Sequence, residues 1–209
     1  IMKFNIELFE KAPIIGILRN INEETVKSIL PVYFKSGFNS VEITMNSTKA
    51  VEIIKSSVKE FPEMNIGAGT VCTMKELDLA CDAGASFIVS PILSIEIIKK
   101  SIERKVAVFP GALTPTEIFK AHKLGATAVK VFPITSFGPK YVKDIMAPLD
   151  NMKLIPVGGV SKNNIKAFFE NGSYGVGMAS SLFSKNLISK NSIGELSQHF
   201  KSILNEIQD

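Results

Sequence analysis

Short apolar runs rich in β-branched residues alternate with segments of helical periodicity along the whole sequence. The predicted strands are Ile14–Leu18, Ser40–Met45, Asn65–Gly69, Phe87–Ser90, Ala107–Pro110, Ala128–Phe132, Leu154–Val157 and Gly175–Met178. The predicted helices are Glu23–Lys35, Thr48–Glu60, Lys75–Ala83, Ile95–Arg104, Pro115–Lys123, Tyr141–Leu149, Asn163–Asn171 and Ile193–Ile207. About eight βα units of roughly 25 residues, with no linker between them, predict one α/β domain over residues 1–209. We expect a parallel (β/α)8 TIM barrel preceded by a short N-terminal helix.

Four of the predicted helices end in a glycine that leads directly into a strand. These glycines are Gly37, Gly84, Gly125 and Gly172. Glycine commonly ends a helix, and a spacing of two βα units assigns the four to the second, fourth, sixth and eighth strands. Alternate strands of a barrel contribute side chains to the same interior layer. The residues five positions after these glycines, which therefore share one layer, are Glu42, Val89, Lys130 and Gly177.

The side-chain alternation of a strand decides which of these residues face the barrel interior. The second strand turns Val41, Ile43 and Met45 towards the helices and leaves Glu42, Thr44 and Asn46 pointing inward. In the sixth strand the same parity directs Lys130 and Phe132 inward. Since the second and sixth strands of an eight-stranded barrel lie opposite each other, Glu42 and Lys130 are predicted to face each other.

Lys130 lies in the middle of an apolar strand, where a charged side chain is costly to bury. One interpretation is a structural ion pair with Glu42. The other is a lysine whose pKa is lowered by desolvation, so that its free amine attacks a carbonyl while Glu42 moves protons. The second interpretation describes a class I aldolase, which forms a Schiff base. A metal-dependent aldolase needs a ligand cluster that two isolated histidines cannot supply, so we expect no metal and no cofactor.

Two glycine-rich or serine-rich segments follow the last two predicted strands, at 156–161 and 177–181. The loops after these strands often bind phosphate in barrels, although a glycine pair can also be a simple turn. Arg19 ends the first strand, where it is either a surface residue or a clamp for a carboxylate. Thr70 ends the third strand and is expected to face the barrel mouth. Together these groups suit a phosphorylated keto acid.

The net charge of +4 invites a search for a nucleic-acid or membrane partner. Of the 24 basic residues only Arg19 and Arg104 are arginines, the lysines form no basic run, and tryptophan is absent. These features argue against nucleic-acid binding. The sequence has no apolar stretch long enough for a membrane helix, no visible signal peptide and only two cysteines. We therefore expect a cytoplasmic protein with no membrane or nucleic-acid partner.

The sequence resembles the 2-keto-3-deoxy-6-phosphogluconate/6-phosphogalactonate aldolase family along essentially its whole length. The matching motifs are Ile17–Arg19, Val41–Ser47, Gly67–Val71, Ser90–Pro91, Pro110–Gly111, Lys130–Pro133, Phe137–Pro139, Val157–Gly159 and Gly177–Ser180. The resemblance implies a homotrimer that reversibly cleaves the phosphorylated keto acid to pyruvate and glyceraldehyde 3-phosphate. It further implies that Lys130 forms the Schiff base and that Glu42 is the acid and base. The implied substrate-binding residues are Arg19, Thr70, Pro91, Phe132, Gly158, Gly159 and Ser180.

Two positions bear on which C4 epimer is the substrate. Asn46 stands where the gluconate-type enzymes have an arginine for the pyruvyl carboxylate, so Arg19 takes that task, as in the galactonate-type branch. Val157 replaces a threonine of the gluconate branch and removes a hydroxyl near the hydroxyls of the substrate. These residues favour the galactonate epimer or relaxed selectivity. The resemblance also implies a side activity on 4-hydroxy-2-oxoglutarate. The alternatives are a sugar-phosphate epimerase or isomerase on the same fold, or a non-catalytic phosphate-binding protein.

Overall fold

The computed structural model describes residues 3–190 and 192–208. The helices are α1 (Ile6–Lys11), α2 (Glu23–Lys35), α3 (Ala50–Glu60), α4 (Met74–Asp82), α5 (Ile95–Glu103), α6 (Pro115–Lys123), α7 (Pro139–Met146), α8 (Ile165–Glu170), α9 (Lys185–Ser189) and α10 (Ile193–Gln208). The strands are β1 (Ile14–Leu18), β2 (Ser40–Thr44), β3 (Asn65–Gly69), β4 (Phe87–Val89), β5 (Ala107–Phe109), β6 (Gly111–Ala112), β7 (Val129–Val131), β8 (Leu154–Pro156) and β9 (Val176–Met178). Within these residues no helix combines the length and the apolar character that crossing a membrane requires.

All strand pairs are parallel, as the alternation of strands and helices predicts. Six strands form one curled sheet in the order β5-β4-β3-β2-β1-β9, and three form a second in the order β6-β7-β8. Only Pro110 separates β5 from β6, and its carbonyl accepts a hydrogen bond from the Lys130 amide at 2.9 Å. At the other side, Val157 forms an isolated parallel bridge with Gly177. The chain therefore has an α/β fold whose parallel sheet curls into at least half a barrel.

Two separate apolar clusters confirm the predicted faces of the strands. Val41, Ile43, Val129 and Val131 belong to the larger cluster, which the helices share. The smaller cluster lies inside the curled sheet and contains Phe9, Ile15, Ile17, Phe87, Val89, Phe109, Ala128, Ile155 and Val157. Because side chains alternate along a strand, one face of each strand supplies each cluster.

The predicted N-terminal helix is α1, and it lies across the amino ends of the strands. The Asn39 side chain, just before β2, donates to the Leu8 carbonyl at 2.5 Å. The Asn5 amide donates to Asn65 Oδ1, at the start of β3, at 2.8 Å. Phe9 of α1 enters the interior cluster. One end of the curled sheet is thus filled with apolar side chains, and polar chemistry is left to the opposite, carboxyl end.

Most predicted elements are present, but several of their ends differ. The helix predicted from Thr48 begins at Ala50, because Lys49 has a left-handed backbone (φ 57°). The helix predicted as Tyr141–Leu149 is Pro139–Met146, since proline suits a first helical position and Pro148 cannot donate the next helical hydrogen bond. The strand predicted to reach Met45 ends at Thr44, which leaves Asn46 exposed at the rim rather than inside. The two-residue strand β6 and the short helix α9 were not predicted.

Candidate active site

Lys130 of β7 and Glu42 of β2 meet in a small internal cavity near the carboxyl end of the sheet. Their side chains are 2% and 1% exposed. The cavity has a volume of about 10 Å³ and is lined by Ile15, Ile17, Glu42, Val89, Phe109, Lys130, Ile155, Val157 and Gly177. All four residues that the glycine spacing assigned to one layer line it. The prediction that Glu42 and Lys130 share an interior layer is therefore confirmed.

Apart from Glu42, the side chains that line the cavity around Lys130 are apolar. Its Nζ lies 4.7 Å from the centre of the Phe132 ring, a distance at which the face of the ring attracts a cation. Burial lowers the pKa of Lys130, the nearby charge of Arg19 lowers it further, and the Glu42 carboxylate raises it. Burial is the largest of these effects, so more of the amine is free near neutral pH than for an exposed lysine.

Glu42 has the complementary shift. Burial raises the pKa of its carboxyl group to about 7, and the charges of Lys130 and Arg19 only partly oppose that rise. Its Oε1 is buried and has no hydrogen-bond partner among the described residues. A carboxyl group that titrates near neutral pH can both give and take a proton in one reaction cycle.

The structural ion pair considered from the sequence is not formed. No oxygen of Glu42 lies within 4.0 Å of Lys130 Nζ in the part of the chain that the structure describes. The two groups influence each other's pKa across the cavity without direct contact. This separation leaves the space between the amine and the carboxyl group for the atoms of a substrate.

A second cavity, of about 840 Å³, opens above the first at the carboxyl ends of the strands. It is lined by Ile17, Arg19, Asn20, Ile21, Asn22, Thr25, Phe132, Val157, Gly158, Gly159, Val160, Ser161, Gly177, Ala179, Ser180, Ser181, Phe183, Lys185, Ile188 and Ser189. Ile17, Val157 and Gly177 line both cavities, so the two adjoin each other. Arg19 and Lys185 are charged lining residues, and no aspartate or glutamate among the described residues lines this cavity. The outer cavity therefore suits an anionic molecule.

Gly158 and Gly159 form a backbone turn on the wall of the outer cavity. Their φ angles are +105° and +71°, values that residues with a side chain rarely adopt. Within the described residues neither amide donates to another main-chain carbonyl. Bare, unpaired amides of this kind are the groups that bind phosphate at glycine-rich loops.

The loops around the outer cavity are held to one another by side chains. Ser181 Oγ donates to the Val160 carbonyl at 2.6 Å, which joins the loop after β9 to the loop after β8. Asn164 donates to the Gly159 carbonyl at 2.9 Å. His199 of α10 donates from Nε2 to the Ser181 carbonyl at 3.0 Å. The glycine turn (Gly158–Gly159) and the loop after β9 that carries Ser180 and Ser181, here called the serine loop, therefore have a fixed relative position.

The structure brings together most of the predicted site residues. Arg19, Phe132, Gly158, Gly159 and Ser180 line the outer cavity. Thr70 and Pro91 line neither cavity. Thr70 is half-buried with a left-handed backbone, and the Pro91 carbonyl group packs closely against Gly111. The roles assigned to these residues stay predictions.

Two residues near the site were not identified from the sequence. Lys185 lines the outer cavity at the start of α9, a helix too short to produce a periodic pattern. Cys72 is close enough to Lys130 for each to influence the pKa of the other. The sequence signal that could have identified them is their position after a strand: Lys185 follows the serine loop after β9, and Cys72 follows β3. Among the described residues, no group of three or more histidine, cysteine, aspartate or glutamate side chains could hold a metal ion.

Comparisons with known proteins agree with this geometry. Residues 6–199 match the family model described as "Aldolase: KDPG and KHG aldolase". The chain is 34% identical to the 2-dehydro-3-deoxy-6-phosphogalactonate aldolase of Escherichia coli strain K12, over 83% of this chain and 85% of that protein. It is 28% identical to the 2-dehydro-3-deoxy-phosphogluconate aldolase of Haemophilus influenzae, over 97% and 96%. A solved structure described as "Native KDPGal structure" superposes with a TM-score of 0.89 and 30% identity, covering 99% of this chain and 98% of that one.

Proposed function

The chain belongs to the KDPG and KHG aldolase family, and on this premise we propose that it works through a Schiff base on Lys130. It is an aldolase that cleaves a phosphorylated sugar acid to pyruvate and an aldehyde. The observation that carries the Schiff-base proposal is the buried lysine facing a buried glutamate across a small cavity. A lysine in an apolar cavity gains nucleophilicity because its neutral amine is favoured.

The first half of the proposed cycle forms the imine. The free Lys130 amine adds to the C2 ketone of the substrate, and the C2 oxygen leaves as water after Glu42 has protonated it. The product is a protonated imine, whose positive charge can accept an electron pair from the neighbouring C3 atom. The raised pKa of Glu42 supports this step, because the group still carries its proton near neutral pH.

The second half breaks the carbon–carbon bond. Glu42, now ionised, takes the proton of the C4 hydroxyl, directly or through a water molecule. The C3–C4 bond breaks, its electron pair moves towards the imine to form an enamine, and C4 leaves as the carbonyl carbon of glyceraldehyde 3-phosphate. Glu42 returns the proton to C3, and water hydrolyses the imine to release pyruvate and the Lys130 amine.

The substrate is held by charged and polar groups around the outer cavity. Arg19 binds the carboxylate beside the reacting ketone, a task supported by its electrostatic effect on both Lys130 and Glu42. Gly158, Gly159 and Ser180 bind the phosphate at the other end of the substrate. Phe132 contacts the reacting carbons through its position beside Lys130 Nζ. Thr70 and Pro91 are proposed for the carboxylate and the pocket wall on the family resemblance alone.

We propose one domain in which β5 and β6 are parts of a single strand and the sheet closes into an eight-stranded barrel. The bridge between Val157 and Gly177, and the hydrogen bond from the Tyr174 amide to the Leu154 carbonyl at 2.9 Å, support closure. The homotrimer and the cytoplasmic location are proposed from the family resemblance and from sequence composition.

Treatment with borohydride in the presence of pyruvate tests the Schiff base. We expect the wild-type chain to gain one reduced pyruvate adduct, because borohydride converts the imine into a stable amine. Lys130→Ala and Lys130→Met are expected to gain none, and Lys143→Ala, at an exposed site, is the matched control. The measurement is intact mass, with thermal unfolding to verify that each variant folds. An undiminished adduct in either folded Lys130 variant contradicts the assignment of Lys130, and a wild-type chain without any adduct contradicts the Schiff base.

Gly69 positions the Glu42 carboxyl group. A Cβ atom added to Gly69 would lie 2.5 Å from Glu42 Cδ and in direct conflict with Oε1. Gly69 stands at the end of β3 opposite Thr44, so its backbone forms the surface on which the carboxyl group rests. A side chain at this position has to move the carboxyl group, since the backbone of a paired strand cannot shift easily.

We expect Gly69→Ala to lower kcat about tenfold or more, because small displacements of a catalytic group are costly. Gly194→Ala is the matched control, since a Cβ there meets no atom within 4 Å. The measurement is the rate of pyruvate release, together with the borohydride adduct at Lys130. If the Gly69→Ala chain releases pyruvate at the wild-type rate, the reaction does not depend on the place that Gly69 leaves for the Glu42 carboxyl group.

The preferred C4 epimer is proposed to be the galactonate form, or both forms, on the evidence of Val157. This residue lines both cavities and brings no hydroxyl group to the site. The family description, which includes KHG, supports a side activity on 4-hydroxy-2-oxoglutarate.

Pyruvate release from each purified epimer tests this preference. We expect wild-type kcat/KM for the galactonate epimer to equal or exceed that for the gluconate epimer. Val157→Thr is expected to shift the ratio towards the gluconate epimer by about tenfold, because its hydroxyl can pair with a substrate hydroxyl. Val157→Ile, which adds bulk without a hydroxyl, is the control. An unchanged ratio in Val157→Thr rules out this residue as the source of selectivity.

A further inference from the structure

The outer cavity carries positive charge at two places that lie on different chain segments. Arg19 follows β1, and Lys185 begins α9 after the serine loop that follows β9. Within residues 3–190 and 192–208, no aspartate or glutamate lines the cavity to neutralise either of them. The substrate of the proposed function is itself anionic at two places, a carboxylate beside the ketone and a phosphate at the far end.

The two cations hold different positions relative to the reacting groups. Arg19 follows β1, whose Ile15 and Ile17 line the inner cavity, and its charge acts on the pKa of both Glu42 and Lys130. Lys185 is exposed and lines the outer cavity but not the inner one. It therefore lies in the part of the site that is open to water, outside the cavity that holds Lys130.

The chain before Lys185 is firmly anchored. Phe183 is buried, with its ring centre 5.4 Å from that of Tyr33 and 5.9 Å from that of Phe200. The hydrogen bond from Ser181 Oγ to the Val160 carbonyl holds the same segment beside the Gly158–Gly159 turn. Lys185 itself is exposed and forms no ion pair with any described residue. The segment that carries Lys185 is thus held beside the Gly158–Gly159 turn, and the lysine lines the same cavity as that turn and is available to a ligand.

We propose that Lys185 binds the phosphate group of the substrate and makes the enzyme select phosphorylated over unphosphorylated aldehydes. The proposal rests on the proposed function. It adds the charge of a side chain to the Gly158 and Gly159 amides and the Ser180 hydroxyl, which are proposed to bind the same phosphate. A lysine ammonium is a compact charge that suits a phosphate. Because the side chain is exposed, its effect is on binding of the aldehyde portion and not on the bond-breaking step.

The test is aldol addition of pyruvate to D-glyceraldehyde 3-phosphate and to D-glyceraldehyde. We expect Lys185→Ala to raise KM for the phosphorylated aldehyde about fivefold relative to KM for glyceraldehyde, as for a solvent-exposed charge pair. Its kcat with the phosphorylated aldehyde should stay within about twofold of wild type, and inhibition by inorganic phosphate should weaken in parallel. Added salt should reduce the difference between variant and wild type.

Two matched variants isolate the role of the charge. Lys185→Arg is expected to retain most of the preference, and Lys190→Ala removes an exposed charge at the other end of α9 that does not line the cavity. The inference is wrong if Lys185→Ala leaves the KM ratio unchanged, changes KM for both aldehydes equally, or matches Lys190→Ala. Borohydride reduction with pyruvate separates the two proposals: an adduct with an unchanged KM ratio overturns the Lys185 inference alone, whereas no wild-type adduct overturns both.

Discussion

The burial of one amine and one carboxyl group in the same small cavity is the constraint on which the rest of the structure depends. Removing either charge from water is costly, and each group responds by a pKa shift towards its neutral form. Unfolded Glu42 ionises near its ordinary pKa of 4.5, whereas the folded group keeps its proton up to about pH 7. The carboxyl group therefore contributes stability at low pH that is lost as the pH rises through this window. Lys130 acts in the opposite sense, since its lowered pKa favours the folded state at high pH.

The residues around this buried pair contact its two polar groups and limit the access of water to them. Phe132 presents its ring to the lysine nitrogen, and Gly69 leaves room for the carboxyl group. The aromatic side chains from α1, β4 and β5 fill the opposite end of the curled sheet. Water is thereby limited to the side on which the outer cavity opens. The same arrangement directs a substrate to approach with its ketone towards Lys130 and its phosphate towards the glycine turn.

Much of this arrangement was predictable from the sequence, because the regular βα repeat ties position in the chain to position in space. The glycine spacing placed Glu42 and Lys130 in one layer, and strand alternation turned both inward. Features outside the repeat were not predictable in this way. Lys185 lies on a five-residue helix, which is too short to show helical periodicity in the sequence. The position of Lys185 beside the cavity depends on the packing of Phe183 against Tyr33, which the sequence does not reveal. Thr70 was predicted to face the mouth, and that stays a prediction: the residue follows β3 with a left-handed backbone, which strand alternation does not describe, and it lines neither cavity.

Titration of the Glu42 carboxyl carbon by ¹³C NMR in isotopically labelled protein tests most directly whether Glu42 and Lys130 influence each other as a buried pair. In the wild-type chain we expect a pKa of about 7. In Lys130→Met, which lacks the opposing positive charge, it should be higher still. A Glu42 pKa close to the ordinary value of 4.5, or one that is the same with and without Lys130, would contradict the buried pair as the basis of the chemistry.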